Sequence, residues 1–143
     1  MKKTILLLTM ILATGSLFAQ SQADKILGTW LNEEKDGKIE IYKTGEKYFG
    51  KIVWGKELYE PDGKTSRTDR KNPDPKLRSR KLEGLVILTN FRYDDGEWEG
   101  GKIYDPKSGK TYSCVMRFKG SILVIKGYVG VTWLGRTTVW TRV

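Results

Sequence analysis

The sequence predicts an all-β fold, an antiparallel up-and-down barrel of about eight strands, and three observations carry that expectation. Short runs that alternate apolar and polar residues recur along the chain, each closed by turn residues. No segment shows the period of a long amphipathic helix. The connections are short with one exception, which favours a closed meander over a Greek-key sandwich and leaves no exposed sheet edge.

The elements follow in order. Lys2 and Lys3 precede an apolar stretch from Ile5 to Phe18, and Leu17-Phe18-Ala19 ends it on a small residue, the pattern of an export leader cleaved after Ala19. The stretch is too short and too interrupted by Thr14, Gly15 and Ser16 for a spanning helix, so the chain is not expected to cross a membrane. The domain then runs from 20 to 143. A single turn at Asp24-Lys25-Ile26, with Asp24 as its N-cap, leads into Leu27–Leu31. Lys38–Tyr42 and Lys47–Trp54 alternate around a turn at Thr44-Gly45-Glu46. Leu85–Leu88 is a strand apolar on both faces. Trp98–Tyr104, Thr111–Phe118, Ile122–Tyr128 and Arg136–Arg142 complete the set. Their turns are Asp94-Asp95-Gly96, Asp105-Pro106-Lys107-Ser108-Gly109 and Lys119-Gly120-Ser121, in which Asp, Pro and Gly each set a turn dihedral.

The exception is the connection from Gly55 to Glu83, between the third and fourth strands. Eight basic and three acidic residues lie between 61 and 81, so much of the chain's net charge of +9 sits there. A connection this long in a compact domain is functional or disordered. The prolines of Asn72-Pro73-Asp74-Pro75 restrict the backbone and predict an ordered cover.

Composition excludes several functions. The chain has no histidine, which removes imidazole-based triads and His-ligated metals, and one cysteine, which removes internal disulfides and Cys-rich metal sites. No cofactor is expected. Asp69 and Asp74 share a loop as an acid–base pair would, but so basic a neighbourhood favours carboxylates, the wrong state for a general acid. Local turn roles for Asp69 and Asn72 are the better reading. Tyr48, Ile52 and Trp54 form one strand face, and Tyr112, Cys114, Met116 and Phe118 another. If these face inward they either fill the barrel or line a slender apolar pocket near its open end.

Gly28-x-Trp30 on the first strand and Trp140-Thr141-Arg142 on the last resemble the calycin superfamily, in which a Gly-x-Trp packs beneath a basic residue from the final strand. More specifically, the chain from Gly28 to Arg142 resembles a family of exported bacterial proteins catalogued as domain of unknown function 2147. The matching stretches are Asp69-Arg70-Lys71-Asn72-Pro73-Asp74-Pro75, Gly100 to Tyr112, and Gly135-Arg136-Thr137 with Trp140-Thr141-Arg142. The resemblance implies a lipocalin-like barrel outside the cytoplasm, with Gly28, Trp30 and Arg142 at its floor, and it implies no activity.

The expected function is that of an exported, non-enzymatic binding protein holding a small apolar or amphipathic ligand. The alternative is an envelope interaction protein with a filled barrel, binding an acidic component through its basic loop. Asp69, Arg70, Asn72, Asp74, Arg78 and Arg80 are the candidate ligand or partner surface, with Arg70, Arg78 and Arg80 expected to be free for carboxylate or phosphate groups. Export argues against a nucleic-acid partner.

Overall fold

In a computed structural model of the chain, eight antiparallel strands pair in sequence order and the first returns to the last, closing a barrel. The strands are β1 (Gly28–Leu31), β2 (Gly37–Thr44), β3 (Lys47–Gly55), β4 (Val86–Asp94), β5 (Glu97–Asp105), β6 (Lys110–Lys119), β7 (Ile122–Val129) and β8 (Thr132–Arg142). The structure describes residues 17, 19–129 and 132–143. Apart from Leu17 and Ala19, the expected leader lies outside them.

Strand direction separates two ends. The tight turns after β2, β4 and β6 lie at one end, the floor. The β1–β2, β3–β4 and β5–β6 connections lie at the other, the mouth. Residues 19–23 are helical and run into a 3-10 turn at Asp24–Ile26, which plugs the floor with the buried side chains of Ala23 and Ile26. Two buried indoles bond this plug directly: Trp30 Nε1 donates to the Ile26 carbonyl at 2.9 Å and Trp98 Nε1 to that of Ala23 at 3.1 Å. Such pairing lets a large aromatic be buried without stranding its polar atom.

Asp24 does not cap this turn, as the sequence suggested. Ala23 precedes it with no side-chain cap, and the Asp24 carboxylate accepts instead from the Tyr48 hydroxyl at 2.5 Å and from Lys43 Nζ at 3.1 Å. The Tyr48 bond, with help from Lys43, holds Asp24 below its ordinary pKa.

Above the plug, rings fill the lower barrel. Trp98 meets Phe118 edge-on at 5.6 Å and Tyr93 at 5.0 Å, and Phe118 also meets Trp30 at 5.7 Å. Cys114 and Met116 are buried beside them, so the Tyr112-to-Phe118 face looks inward. Burial pushes the Cys114 thiol up to about 12, which leaves it inert at neutral pH.

The seam between β1 and β8 is short, pairing Trp30 with Arg142 and Leu31 with Thr141. The Arg142 guanidinium lies 4.3 Å from the Trp30 ring centroid. Its Nη1 donates to the Leu27 carbonyl at 2.8 Å and its Nη2 to that of Lys25 at 2.5 Å. Gly28 makes room: its φ is +125°, and a Cβ there would stand 2.8 Å from Arg142 Nη1.

β4 and β8 outrun their sequence limits the most. β4 continues from the expected Leu88 to Asp94 through Asn90, whose φ of 61° suits Asn and marks an irregularity in the pairing with β3. A second irregularity in the same pairing, with Val86 opposite Lys51 and Leu88 opposite Gly50, leaves the neighbours Ile87 and Leu88 both buried in the core. β8 begins at Thr132 rather than Arg136.

Trp30→Ala is expected to cost ~3–5 kcal/mol in urea unfolding, the range for truncating a large buried aromatic. Arg142→Ala should cost less, about 1–3 kcal/mol. The double variant should fall short of the sum, because the two side chains touch. Full additivity would show that the stacking does not couple the first strand to the last.

Candidate functional site

The upper half of the barrel is hollow. A cavity of about 850 Å³ opens at the mouth, and its apolar wall is built mainly from isoleucines: Ile39 on β2, Ile52 on β3, Ile87 on β4, Ile103 on β5 and Ile125 on β7. Trp140 on β8 and Tyr112 on β6 complete the wall, and Leu58 and Leu82 reach in from the long connection. Ile52 and Ile103 line the cavity yet stay only partly buried. That is what an open lumen produces. The volume lies in the range of small-molecule pockets.

Trp54 is the member of its expected face that departs. A register shift between Lys38 and Ile39 sets Trp54 opposite Lys38, whose ammonium lies 5.2 Å from the indole centroid. The ring borders the cavity and is 37% exposed.

The long connection is ordered and covers one side of the mouth. Bridges pair Tyr59 with Ser66 and Thr68 with Lys81, and Leu82 N donates to the Arg67 carbonyl at 2.9 Å. Its centre is Asp69, 1% exposed, whose carboxylate takes three donors. The Tyr104 hydroxyl bonds Oδ1 at 2.6 Å, while Asn72 Nδ2 and Arg80 Nε each bond Oδ2 at 2.9 Å. The Arg80 guanidinium also lies over the Tyr104 ring at 5.4 Å. Asn72 Oδ1 accepts from the Asp74 amide, and Asp74 caps the 3-10 turn Pro75–Leu77 by accepting from Lys76 N at 3.0 Å.

These bonds overturn part of the surface expected from sequence. Asp69 and Asn72 are buried and face no partner. Arg80 is bound to Asp69, Arg70 Nη2 lies 3.2 Å from Glu60 Oε1, and Arg78 Nε donates to the Asn72 carbonyl at 2.8 Å. Arg80 is therefore not free, while Arg70 and Arg78 each make one bond inside the loop and stay exposed at its surface.

The turn from Asp105 to Gly109 does more than reverse the chain. Gly109 has φ +72°, and a Cβ there would stand 2.0 Å from the Lys71 carbonyl oxygen, so the long connection rests directly on this turn. Lys107 Nζ reaches Asp36 Oδ2 at 2.5 Å. Asp36 belongs to the β1–β2 connection and Lys107 to the β5–β6 turn, on opposite sides of the ring, so the ion pair straps the mouth. Asn32 fixes its acidic end, with Nδ2 donating to Asp36 Oδ1 at 2.7 Å and Oδ1 accepting from the amides of Asp36 and Gly37. The bond from Lys107, then that from Asn32, holds Asp36 below its ordinary pKa, and Lys107 is raised in return.

Among the described residues, no group of three or more His, Cys, Asp or Glu side chains could hold a metal ion. Sequence reasoning named neither the isoleucine wall nor the strap. The alternation did place Ile39 and Ile41 on one face, and Ile52 on the face of Tyr48.

Residues 28–142 match the family described as "Uncharacterized protein conserved in bacteria (DUF2147)". The chain belongs to this family. The DUF2147 match begins and ends on Gly28 and Arg142, the pair in close approach at the floor. A solved structure titled "Protein HP1028 from the human pathogen Helicobacter pylori belongs to the lipocalin family" is similar at a TM-score of 0.71 and 25% identity, over 83% of each chain. No curated protein matches this DUF2147 chain. Neither match indicates an enzymatic family.

Two outcomes test the loop's construction. Asp69→Ala leaves a hydroxyl, an amide and a guanidinium without their acceptor, at an expected cost of about 3 kcal/mol. The amides of Asn72, Arg80 and Leu82, hydrogen-bonded in the parent, should exchange faster by at least an order of magnitude. Unchanged exchange there would mean that Asp69 does not hold the loop. The second concerns Tyr104, which burial and its bond to Asp69 push up to about 12. A phenol raised above its ordinary value of about 10 stabilises fully below that value and loses the contribution as pH climbs through the folded one. The stability gap between parent and Tyr104→Phe should therefore close between pH 10 and pH 12, and a constant gap would contradict the bond.

Proposed function

We propose that this protein is an exported, non-enzymatic binding protein that holds one small apolar or amphipathic ligand in the upper half of its barrel. The observation that carries the reading is the cavity of about 850 Å³, apolar in its depth and polar at its rim. An empty apolar volume of that size forgoes packing that the lower barrel makes, and a protein without a use for it would gain stability by filling it. The structural neighbour's title, which places that protein in the lipocalin family, supports the same reading. The absence of histidine from the sequence and the inert Cys114 thiol favour binding over catalysis.

Export rests on the leader pattern ending at Ala19. Cleavage after Ala19 leaves Gln20 onward, which retains the turn that plugs the floor. The alternative, recognition of an acidic envelope component by the loop, loses Arg80, which the buried Asp69 holds.

Titration with the neutral fluorophore N-phenylnaphthylamine should give a saturable rise in emission at one site per chain. Thr138→Trp, which adds an indole to the cavity wall, should abolish the rise and change the unfolding midpoint little. Absence of saturable binding to the parent, or full binding to the variant, would remove the cavity from the function.

A further inference from the structure

The motif Gly135-Arg136-Thr137 has no role in the floor, the loop or the strap. On β8 the residues Arg136, Thr138 and Trp140 all line the cavity, in that order from the mouth inward, at the two-residue spacing that sends side chains to one face. Pairings fix the face: Trp140 lies opposite Leu123 and Thr138 opposite Ile125, and Leu123 and Ile125 are buried in the core. Arg136 therefore stands on the inner wall at the lip, above an apolar shaft.

The other charged residues lining the cavity are mostly carried by connections and are largely engaged. Lys107 is bound to Asp36, and Arg70 and Arg67 lie within 3.2 and 3.9 Å of Glu60. Asp105, at the end of β5, accepts from the Lys107 amide and the Ser108 hydroxyl of its own turn. Glu34, Glu57 and Lys71 are exposed on connections. Arg136 makes no hydrogen bond or ion pair with any described residue, and it is the unengaged charge that a strand holds over the shaft.

We propose that the ligand carries a single anionic head group, a carboxylate or a phosphate, and that Arg136 binds it while the apolar body lies against Ile39, Ile52, Ile103 and Ile125. The proposal rests on the cavity being a ligand site. A guanidinium presents a planar fork that fits both anions, and its position at the lip lets the head stay partly hydrated while the body is dry. The acidic side chains of Glu34 and Glu57 at the same rim make the opposite preference, for a cationic head, the natural competitor.

The test displaces N-phenylnaphthylamine from the parent with dodecanoate, dodecyl phosphate, dodecanol and dodecyltrimethylammonium, all below their micellar concentrations. Dodecanoate or dodecyl phosphate should displace at about tenfold lower concentration than dodecanol, as a charge-assisted hydrogen bond gives, and whichever leads identifies the head. Arg136→Gln should erase that advantage without moving the dodecanol value, and Arg136→Lys should restore part of it. Raising the salt concentration should shrink the advantage in the parent, a check that needs no variant. Equal displacement by anion and alcohol, a lead for the ammonium compound, or an advantage that survives Arg136→Gln overturns the proposal and leaves the cavity reading intact. Failure of every chain to displace the fluorophore, or of the fluorophore to bind, overturns both.

Discussion

The stacking of Arg142 on Trp30 is the contact on which the closure of this barrel depends. Most neighbouring strands are joined by ladders of five or more paired residues, whereas β1 has four residues and meets β8 at two positions. So brief a ladder gives little cooperativity by itself. The guanidinium extends it sideways, covering the indole and bonding the carbonyls of Lys25 and Leu27, so one side chain ties the last strand to the first and to the plug beneath. The absence of a side chain at Gly28 is part of the same contact. An arginine at a solvent-facing end is an economical clamp because its head keeps some hydration while its plane covers the ring.

A sealed floor permits an open mouth. The buried aromatic cluster and the two indole bonds to the plug concentrate packing in one half of the molecule. The opposite half leaves an aliphatic wall short of partners. Its rim is nevertheless braced: the long connection is tied to Tyr104 through Asp69 and rests on Gly109, and Lys107 spans to Asp36. These braces differ in kind. The Asp69 cluster is buried and hydrogen-bonded throughout, whereas the Lys107–Asp36 pair is exposed, so solvent and salt weaken it first.

Much of this was legible in the sequence, for physical reasons. Strand alternation and turn residues act locally, so Lys38–Tyr42 and Ile122–Tyr128 were readable as strands and Thr44-Gly45-Glu46 as a turn. The floor was readable through the family resemblance that Gly28, Trp30 and Arg142 carry, and stacking of a guanidinium on an indole makes that resemblance physically sensible. Three things were not. The extra length of β4 depends on Asn90 adopting φ 61°, a conformation paid for by tertiary pairing. The fate of Arg70 and Arg80 depends on which carboxylates the folded loop brings within reach. Whether eight strands enclose a solid core or a cavity depends on the balance of side-chain volumes along the axis, here rings below and isoleucines above, which emerges only once strand directions are known.

The loop's internal pairing also changes what the chain's net charge of +9 can do. Read as a list, the residues from 61 to 81 form a basic patch. Folded, Arg80 is bound to the buried Asp69, while Lys64, Arg70, Lys76, Arg78 and Lys81 stay exposed at the loop's surface. At physiological ionic strength such charges are screened beyond about 8 Å. They raise the local concentration of anions near the mouth without setting which one enters. On the ligand reading proposed above, selection falls to groups that touch the ligand at the rim, Arg136 first among them, and not to charges spread over the loops. On that reading the total charge and the recognising charge are separate quantities, the first spread over loops and the second held by a strand.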